Sequence, residues 1–358
     1  MKLLANAFFP EGPALARLRF SERVEGLEPR GPVDLEAPWA LPGFVDLHVH
    51  GGGGREVMEG EEGIRALLAF HLRHGTTALL ATTVTAPLED LLRVLEAARR
   101  VMARPGPGEA RLLGVHLEGP FISPRRLGAQ PPFARPPTLE ELEALLASQA
   151  VRAVTLAPEL PGMDWAIPLL RERGVRVQIG HTEAGYEETL KALERGASGF
   201  THLFNAMPPL HHRAPGVVGA ALERGRWAEV IPDGLHVHPS LLRLAHRLIP
   251  GLYAVTDAVA AAGMPDGVYP LGAHRVEKRG EGVWLGEGLA GSTLTMDRAL
   301  ERLLEFSFSL EEAVALTGLR PAAYLGLAHG LEPGLPADLV LWQGGLVEVY
   351  LGGRKVVG

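Results

Sequence analysis

The chain has 358 residues, 46% hydrophobic and 22% charged, with a net charge of −7 and no cysteine. That composition can build one large α/β barrel with an appendage, or two or three smaller units, and it excludes disorder, collagen and coiled coil. It leaves no electrostatic reason to expect nucleic acid and no disulfide or thiolate site; with no apolar run of the ~20 residues a membrane span needs and no leader-like start, a cytoplasmic location is expected.

From the N-terminus, Leu15–Phe20 alternates apolar and polar residues as a half-buried strand does, and prolines at 29, 32, 38 and 42 punctuate the chain. Strands are then predicted at Gly43–His50, Thr76–Val84, Leu112–Gly119, Val151–Ala157, Val175–His181, Gly199–Asn205, Ala228–Leu235 and Leu252–Asp257. Amphipathic helices are predicted between several of them, at Glu61–His74, Leu88–Ala103, Leu139–Ser148, Trp165–Arg173, Tyr186–Arg195 and Pro239–Arg247. Pro87, Pro239 and the Thr138-to-Glu141 capping pattern mark helix starts. The last stretches, Ala337–Trp342, Leu346–Tyr350 and Lys355–Val357, return to short strands, so the two ends are expected to meet in one small sheet domain. Strands alternating with helices point to a parallel (β/α)8 barrel. A doubly wound open sheet is the alternative, but Gly51–Gly54 lacks the spacing of a dinucleotide fingerprint.

Side chains alternate along a strand, so Asp46, His48 and His50 share one face of the first strand. Two imidazoles at i and i+2 converge on a point suited to a divalent cation. Glu118 ends the third predicted strand, His181 the fifth, His202 the sixth and Asp257 the eighth. In a parallel barrel all of these termini open on one rim, where active sites sit. His116 shares a strand face with Glu118 and reads as support for it, whereas His71 and His74, spaced i and i+3 on a helix, read as surface residues.

The stretches PGFVDLHVHG (Pro42–Gly51), GVHLEGPF (Gly114–Phe121), GHTEAGYEE (Gly180–Glu188), THLFNAMPPL (Thr201–Leu210), HRAPG (His212–Gly216), PDGLHV (Pro232–Val237), VTDAVAAAG (Val255–Gly263) and LAGSTLTM (Leu289–Met296) resemble the amidohydrolase superfamily. Within it they are most similar to the N-acetylglucosamine-6-phosphate deacetylase family. The resemblance implies a barrel over residues 43–329 and a small β-sandwich from residues 1–42 and 330–358. It implies a divalent metal, one or two per subunit (zinc or iron), held by Glu118, His181 and His202, with His48 and His50 available for a second. Asp257 would be the catalytic proton carrier. Substrate contacts are implied for Ala129, Gln130, Asn205, Ala206, Arg213, His236, Leu289, Ala290 and Gly291. Arg213 and His236 match phosphate-contacting positions, so the partner is a small-molecule sugar phosphate, with a homodimer expected. Two details differ from neighbouring groups. None of the four lysines stands near a strand end, so no carboxylated lysine can bridge two metals, and Gln130 stands where the family usually has a histidine. Another amidohydrolase reaction, or a catalytically silent barrel scaffold, are the rival readings.

Overall fold

The computed structural model describes residues 1–9, 12–27 and 34–358, and the expected break at Pro29 and Pro32 lies outside them. Parallel strands run through the middle of the chain: β1 (Phe44–Val49), β2 (Thr76–Thr83), β3 (Arg111–Glu118), β4 (Val151–Leu156), β5 (Arg176–Ile179), β6 (Gly199–Phe200), β7 (Trp227–Val230) and β8 (Gly251–Ala254). The first six form one sheet in the order β6-β5-β4-β3-β2-β1, and β7 pairs with β8. Helices between the strands cover the sheet, which is why β2 can read Thr-Thr-Ala-Leu-Leu-Ala-Thr-Thr and be buried at every residue. The helix Leu88–Ala103 turns Leu91, Val94, Leu95, Ala98 and Val101 inward at helical spacing, and burying each leucine contributes about 1.5–3 kcal/mol. Helix Leu139–Ala147 starts as expected, its Thr138 hydroxyl accepting from the Glu141 N–H at 3.2 Å.

Hydrogen bonds beyond the strands join the two sheets at both seams. Leu203 N–H donates to Glu229 O (2.8 Å), while Asp257 N–H donates to His48 O (2.9 Å) and His50 N–H to Ala258 O (2.8 Å). The ends of β6 and β8 are thereby tied to β7 and β1.

Four predicted strands end early: Val175–His181 stops at Ile179 and Leu252–Asp257 at Ala254, so His181 and Asp257 lie just past their strands, and two others are cut further. Gly199–Asn205 stops at Phe200 because His202, Phe204 and Ala206 take left-handed backbone angles that no strand can continue through. Ala228–Leu235 stops at Val230, ahead of Pro232 and the left-handed Gly234. Unanticipated were the helices Gly216–Arg224 and Met296–Glu305, and four antiparallel strands spanning Gly267–Leu271, His274–Arg279, Gly282–Leu285 and Gly288–Ser292. This insertion carries its own core of Leu271, Val276, Val283 and Ala290, packed on Val84 and Val259 at the rim.

The chain ends do meet. Leu339–Trp342 runs antiparallel to Leu35–Pro42, with Val340 opposite Leu41, at the centre of a seven-stranded sheet. Its core gathers Leu3, Leu18, Phe20, Leu339 and Tyr350, the two rings meeting edge to face at 5.6 Å. Among the described residues, no helix is long and apolar enough to cross a membrane.

His71 is not a surface residue. It is fully buried, with Nε2 3.0 Å from Gly51 O, and burial drives its pKa down to about 4, so it is a neutral ring donating to that carbonyl. His74 is partly exposed and pairs with Asp297 at 2.9 Å.

Candidate active site

The strand ends are shaped for the residues they carry. Gly180 lets β5 approach its neighbours closely: a Cβ there would fall 2.7 Å from Thr201 and 2.9 Å from Thr155. The next residue, His181, has φ 47°, and His202 (27°) and Asp257 (50°) are left-handed too. Such a conformation costs a non-glycine residue on the order of 1–3 kcal/mol and persists where the surroundings over-determine it, which is a mark of functional positions. The strain turns each side chain off its strand axis toward a common point.

Ligand-type atoms meet there in two groups, each lying within 4.8 Å: Glu118, His181 and His202, and His48, His50 and Asp257. Glu118 Oε1 is 3.0 Å from Nε2 of both His181 and His202, and those two nitrogens are 3.0 Å apart. On the other side, His48 Nε2 is 3.2 Å from His50 Nε2, and Asp257 Oδ1 is 3.2 Å from His50 and 3.5 Å from His48. The far ring nitrogens settle the tautomers. His181 Nδ1 lies 2.7 Å from Arg126 O and His50 Nδ1 lies 3.1 Å from Thr82 O, and a carbonyl can only accept. Both therefore carry a proton on Nδ1, and each turns Nε2 toward a carboxylate and toward the Nε2 of a second ring, His202 for His181 and His48 for His50.

Charge in the cluster follows from burial and proximity. Burial opposes ionisation of Glu118, yet His48 and His181 hold its carboxyl well below the usual range. Burial likewise pushes Asp257 up, but His48 and His50 outweigh it and bring the group to about 2. In return, and against burial, Asp257 and Glu118 lift His50 to about 9. Behind Asp257, burial carries the Asp46 carboxyl up to about 7; it accepts from the Thr256 hydroxyl at 2.6 Å and fixes the turn before Asp257.

Two residues beneath the cluster were read less fully from sequence, or not at all. His116 bonds Leu47 O (3.1 Å) and the Thr155 hydroxyl (2.7 Å), so both its nitrogens are committed and it serves as packing support for His48. Glu229, on β7, was missed. It is fully buried, with Oε2 2.9 Å from His48 Nδ1. His48, His116 and Glu229 lie near enough to resemble a third metal cluster, but His48 Nδ1 and Glu229 Oε2 are bonded to each other and both His116 nitrogens to Leu47 and Thr155.

A cavity of about 230 Å³ opens over the cluster. His50, Glu118, His181, His202 and Asp257 line its floor, and His48 lies below it. Of the expected substrate contacts, Ala129, Gln130, Asn205, Ala206 and His236 line the walls, with Leu289 and Gly291 from the insertion. Ala290 faces the insertion's own core, and Arg213 stands exposed outside the lining, 2.8 Å from His212. Gln130 does more than face the cavity. Its Oε1 accepts from Thr85 N–H (2.7 Å), which forces its amide N–H toward the Glu118 carboxylate, where it donates to Oε2. His236 Nδ1 sits 2.6 Å from Asp233 Oδ2, and despite burial that carboxylate raises its pKa, favouring the charged form of the ring on the wall.

Comparison with known proteins agrees with this geometry. The amidohydrolase family model matches residues 39–356. The chain is 37% identical to the N-acetylglucosamine-6-phosphate deacetylase of Homo sapiens, over 95% of this chain and 88% of that protein. The chain belongs to the amidohydrolase family, in its N-acetylglucosamine-6-phosphate deacetylase branch. It is also 39% identical to the N-acetylgalactosamine-6-phosphate deacetylase of Escherichia coli O157:H7, over 89% of this chain and 87% of that protein. A variant N-acetyl-D-glucosamine-6-phosphate deacetylase from Mycobacterium smegmatis, solved with N-acetyl-D-glucosamine-6-phosphate, superposes with a TM-score of 0.93 at 35% identity, covering 100% of this chain and 99% of that one.

Amidohydrolases are metal-dependent, and the donor set here fits a divalent cation. The Nε2 atoms of His181 and His50, aimed by their backbone acceptors, lie 3.0–3.2 Å from anionic oxygens. That arrangement is repulsive unless a proton or a cation lies between. Imidazole plus carboxylate is the ligand chemistry of zinc and ferrous iron.

Proposed function

We propose that this amidohydrolase removes the acetyl group of N-acetylglucosamine 6-phosphate, giving acetate and glucosamine 6-phosphate. What carries the reading is the convergence of Glu118, His181 and His202 beside Asp257 in a cavity whose wall holds the His236–Asp233 pair. On this reading they would supply a cation-binding floor, a proton carrier and an anion-binding wall in one space.

Glu118, His181 and His202 would hold the metal, zinc or iron, with His48 and His50 able to hold a second. When bound, the cation lowers the pKa of water and polarises the amide carbonyl. Asp257 is ionised at neutral pH, and it takes the proton from the attacking water and delivers it to the leaving nitrogen as the C–N bond breaks. His236, whose pKa Asp233 raises, and the backbone at Asn205 and Ala206 would receive the phosphate. Leu289, Gly291 and Ala129 shape the sugar end of the cavity, and Gln130 holds Glu118 in place.

This reading extends to the whole molecule. The bonds joining β6 to β7 and β8 to β1 support a closed (β/α)8 barrel over residues 43–329; the seven-stranded sheet built from both chain ends supports a small β domain beside it, which we read as a β-sandwich of residues 1–42 and 330–358. The assembly is proposed as a cytoplasmic homodimer. Helix Pro239–Leu248 leaves Leu241, Leu244 and Leu248 exposed at i, i+3 and i+7, an apolar stripe suited to a second copy, and Leu210 is exposed near Arg213. Arg213, outside its own cavity, would then reach the partner's.

The test is direct: protein reconstituted with zinc or ferrous iron is incubated with N-acetylglucosamine 6-phosphate, and acetate and free amine are measured. Release of both in equal amounts is expected, and their absence overturns the proposal. The galactosamine epimer is the second reading, favoured by the Escherichia coli relative, and comparing kcat/KM for the two sugars decides between them. Arg213→Ala is expected to raise KM about tenfold for the phosphorylated sugar, the equivalent of one lost charge-assisted hydrogen bond, and to leave the dephosphorylated analogue unchanged. Equal effects on both would remove Arg213 from the phosphate site.

A further inference from the structure

Strand β7 contributes none of the residues assigned to the centre, yet the most thoroughly bonded carboxylate under it comes from there. Glu229 is fully buried and none of its hydrogen-bonding capacity is spare. Oε2 lies 2.9 Å from His48 Nδ1 and accepts from His202 N–H at 3.3 Å; Oε1 accepts from Gln178 Nε2 at 2.8 Å and from the Tyr253 hydroxyl at 3.2 Å. It does not face the cavity and touches no reacting atom.

We propose that Glu229 is the positioning residue that makes the His48–His50–Asp257 cluster a second cation site. The inference rests on the metal-centre reading above. Accepting from His48 Nδ1–H leaves the lone pair on Nε2, which points at His50 Nε2 3.2 Å away. His50 is set in the same sense by Thr82 O. Both rings of the pair therefore aim Nε2 at one point, where a cation would take the place of a proton, with Asp257 as the third ligand atom. The two anchors differ in kind. His50 leans on a neutral carbonyl, whereas His48 leans on a carboxylate, which increases the basicity of the ring and its strength as a ligand. The weaker contact to His202 N–H bears on backbone only and leaves the His202 ring untouched. Glu229 thus acts selectively on one cluster, although it sits beneath both.

The experiment is a cobalt(II) titration of metal-free protein, following d–d absorption and bound equivalents. Wild type is expected to take up two equivalents in two steps. Glu229→Gln keeps the shape and removes the charge, and Glu229→Asp keeps the charge and withdraws it from His48. Each folded variant should retain the first step and bind the second equivalent ~10–100-fold more weakly, the usual effect of losing such a partner. Circular dichroism and the apo-protein Tm identify which variants fold, and either one suffices. A wild type that binds only one equivalent, a second step unchanged within twofold, or equal weakening of both steps overturns the role of Glu229. Wild type that binds no cobalt overturns the metal-centre reading itself, so the two failures are separable.

Discussion

Asp257→Asn is expected to lower kcat by about 10³-fold, within the range that a positioned acid–base group contributes, while leaving the fold and the cation held by Glu118, His181 and His202 nearly unchanged. The substitution is isosteric, and the scaffold around the position does not depend on the charge. Its backbone is fixed by Asp257 N–H to His48 O (2.9 Å) and by Ser292 N–H to Asp257 O (2.8 Å), and the preceding Thr256 is held by Asp46. The side-chain oxygen can remain close to His50. What asparagine lacks is a site for a proton, so water can neither be deprotonated nor the leaving nitrogen protonated by this group. Steady-state kinetics with metal analysis on the same preparation checks it. Activity within tenfold of wild type, at equal metal content, would remove Asp257 as the proton carrier. A variant that has lost the cation held by Glu118, His181 and His202 would instead give Asp257 a part in holding that ion.

Much of this centre was legible because strand alternation and parallel topology are strong constraints. HVH at the end of β1 and the single Glu, His, His and Asp at later strand ends fall on one rim once the strands are parallel, whatever the loops do. The local geometry that finally aims them was not legible. Left-handed angles at His181, His202 and Asp257 are set by tertiary contacts, and nothing in these residue types announces them. His71 was misplaced although a signal existed: Ile64, Leu67, Leu68 and His71 follow the i, i+3, i+4, i+7 spacing of a buried stripe. Glu229 left a similar trace, a lone carboxylate inside a strand otherwise made to be buried on both sides, which must have a partner. The antiparallel insertion escaped because its strands are short and bury only one or two residues each, and His-Arg-Val-Glu-Lys-Arg shows no apolar run. Arg213 marks a different limit, since a single chain leaves it outside its own cavity.

Glu118→Gln tests the metal centre from the opposite side, by making the protein comfortable without a cation. Thr85 N–H can only donate, so Gln130 Oε1 is fixed toward it and the Gln130 amide N–H toward the carboxylate oxygen Oε2 of residue 118. A glutamine at 118 must therefore place its oxygen where Oε2 is now, and its NH2 where Oε1 now faces His181 and His202 at 3.0 Å. Those N–H groups would donate to the very lone pairs that a cation uses. The expected result is a well-folded variant whose metal-free form is at least as heat-stable as metal-free wild type. Ligands stabilise the state that binds them, by about 4 kcal/mol at a thousandfold excess over Kd. Wild type should accordingly gain Tm on adding zinc, and the variant should gain none. Turnover should fall by roughly 10⁴-fold, since the lowered pKa of water and the polarised carbonyl are lost together. Differential scanning calorimetry with and without zinc reads the first outcome and acetate release the second. If Glu118→Gln binds zinc as tightly as wild type, the carboxylate is not a ligand and the cation lies elsewhere in the molecule.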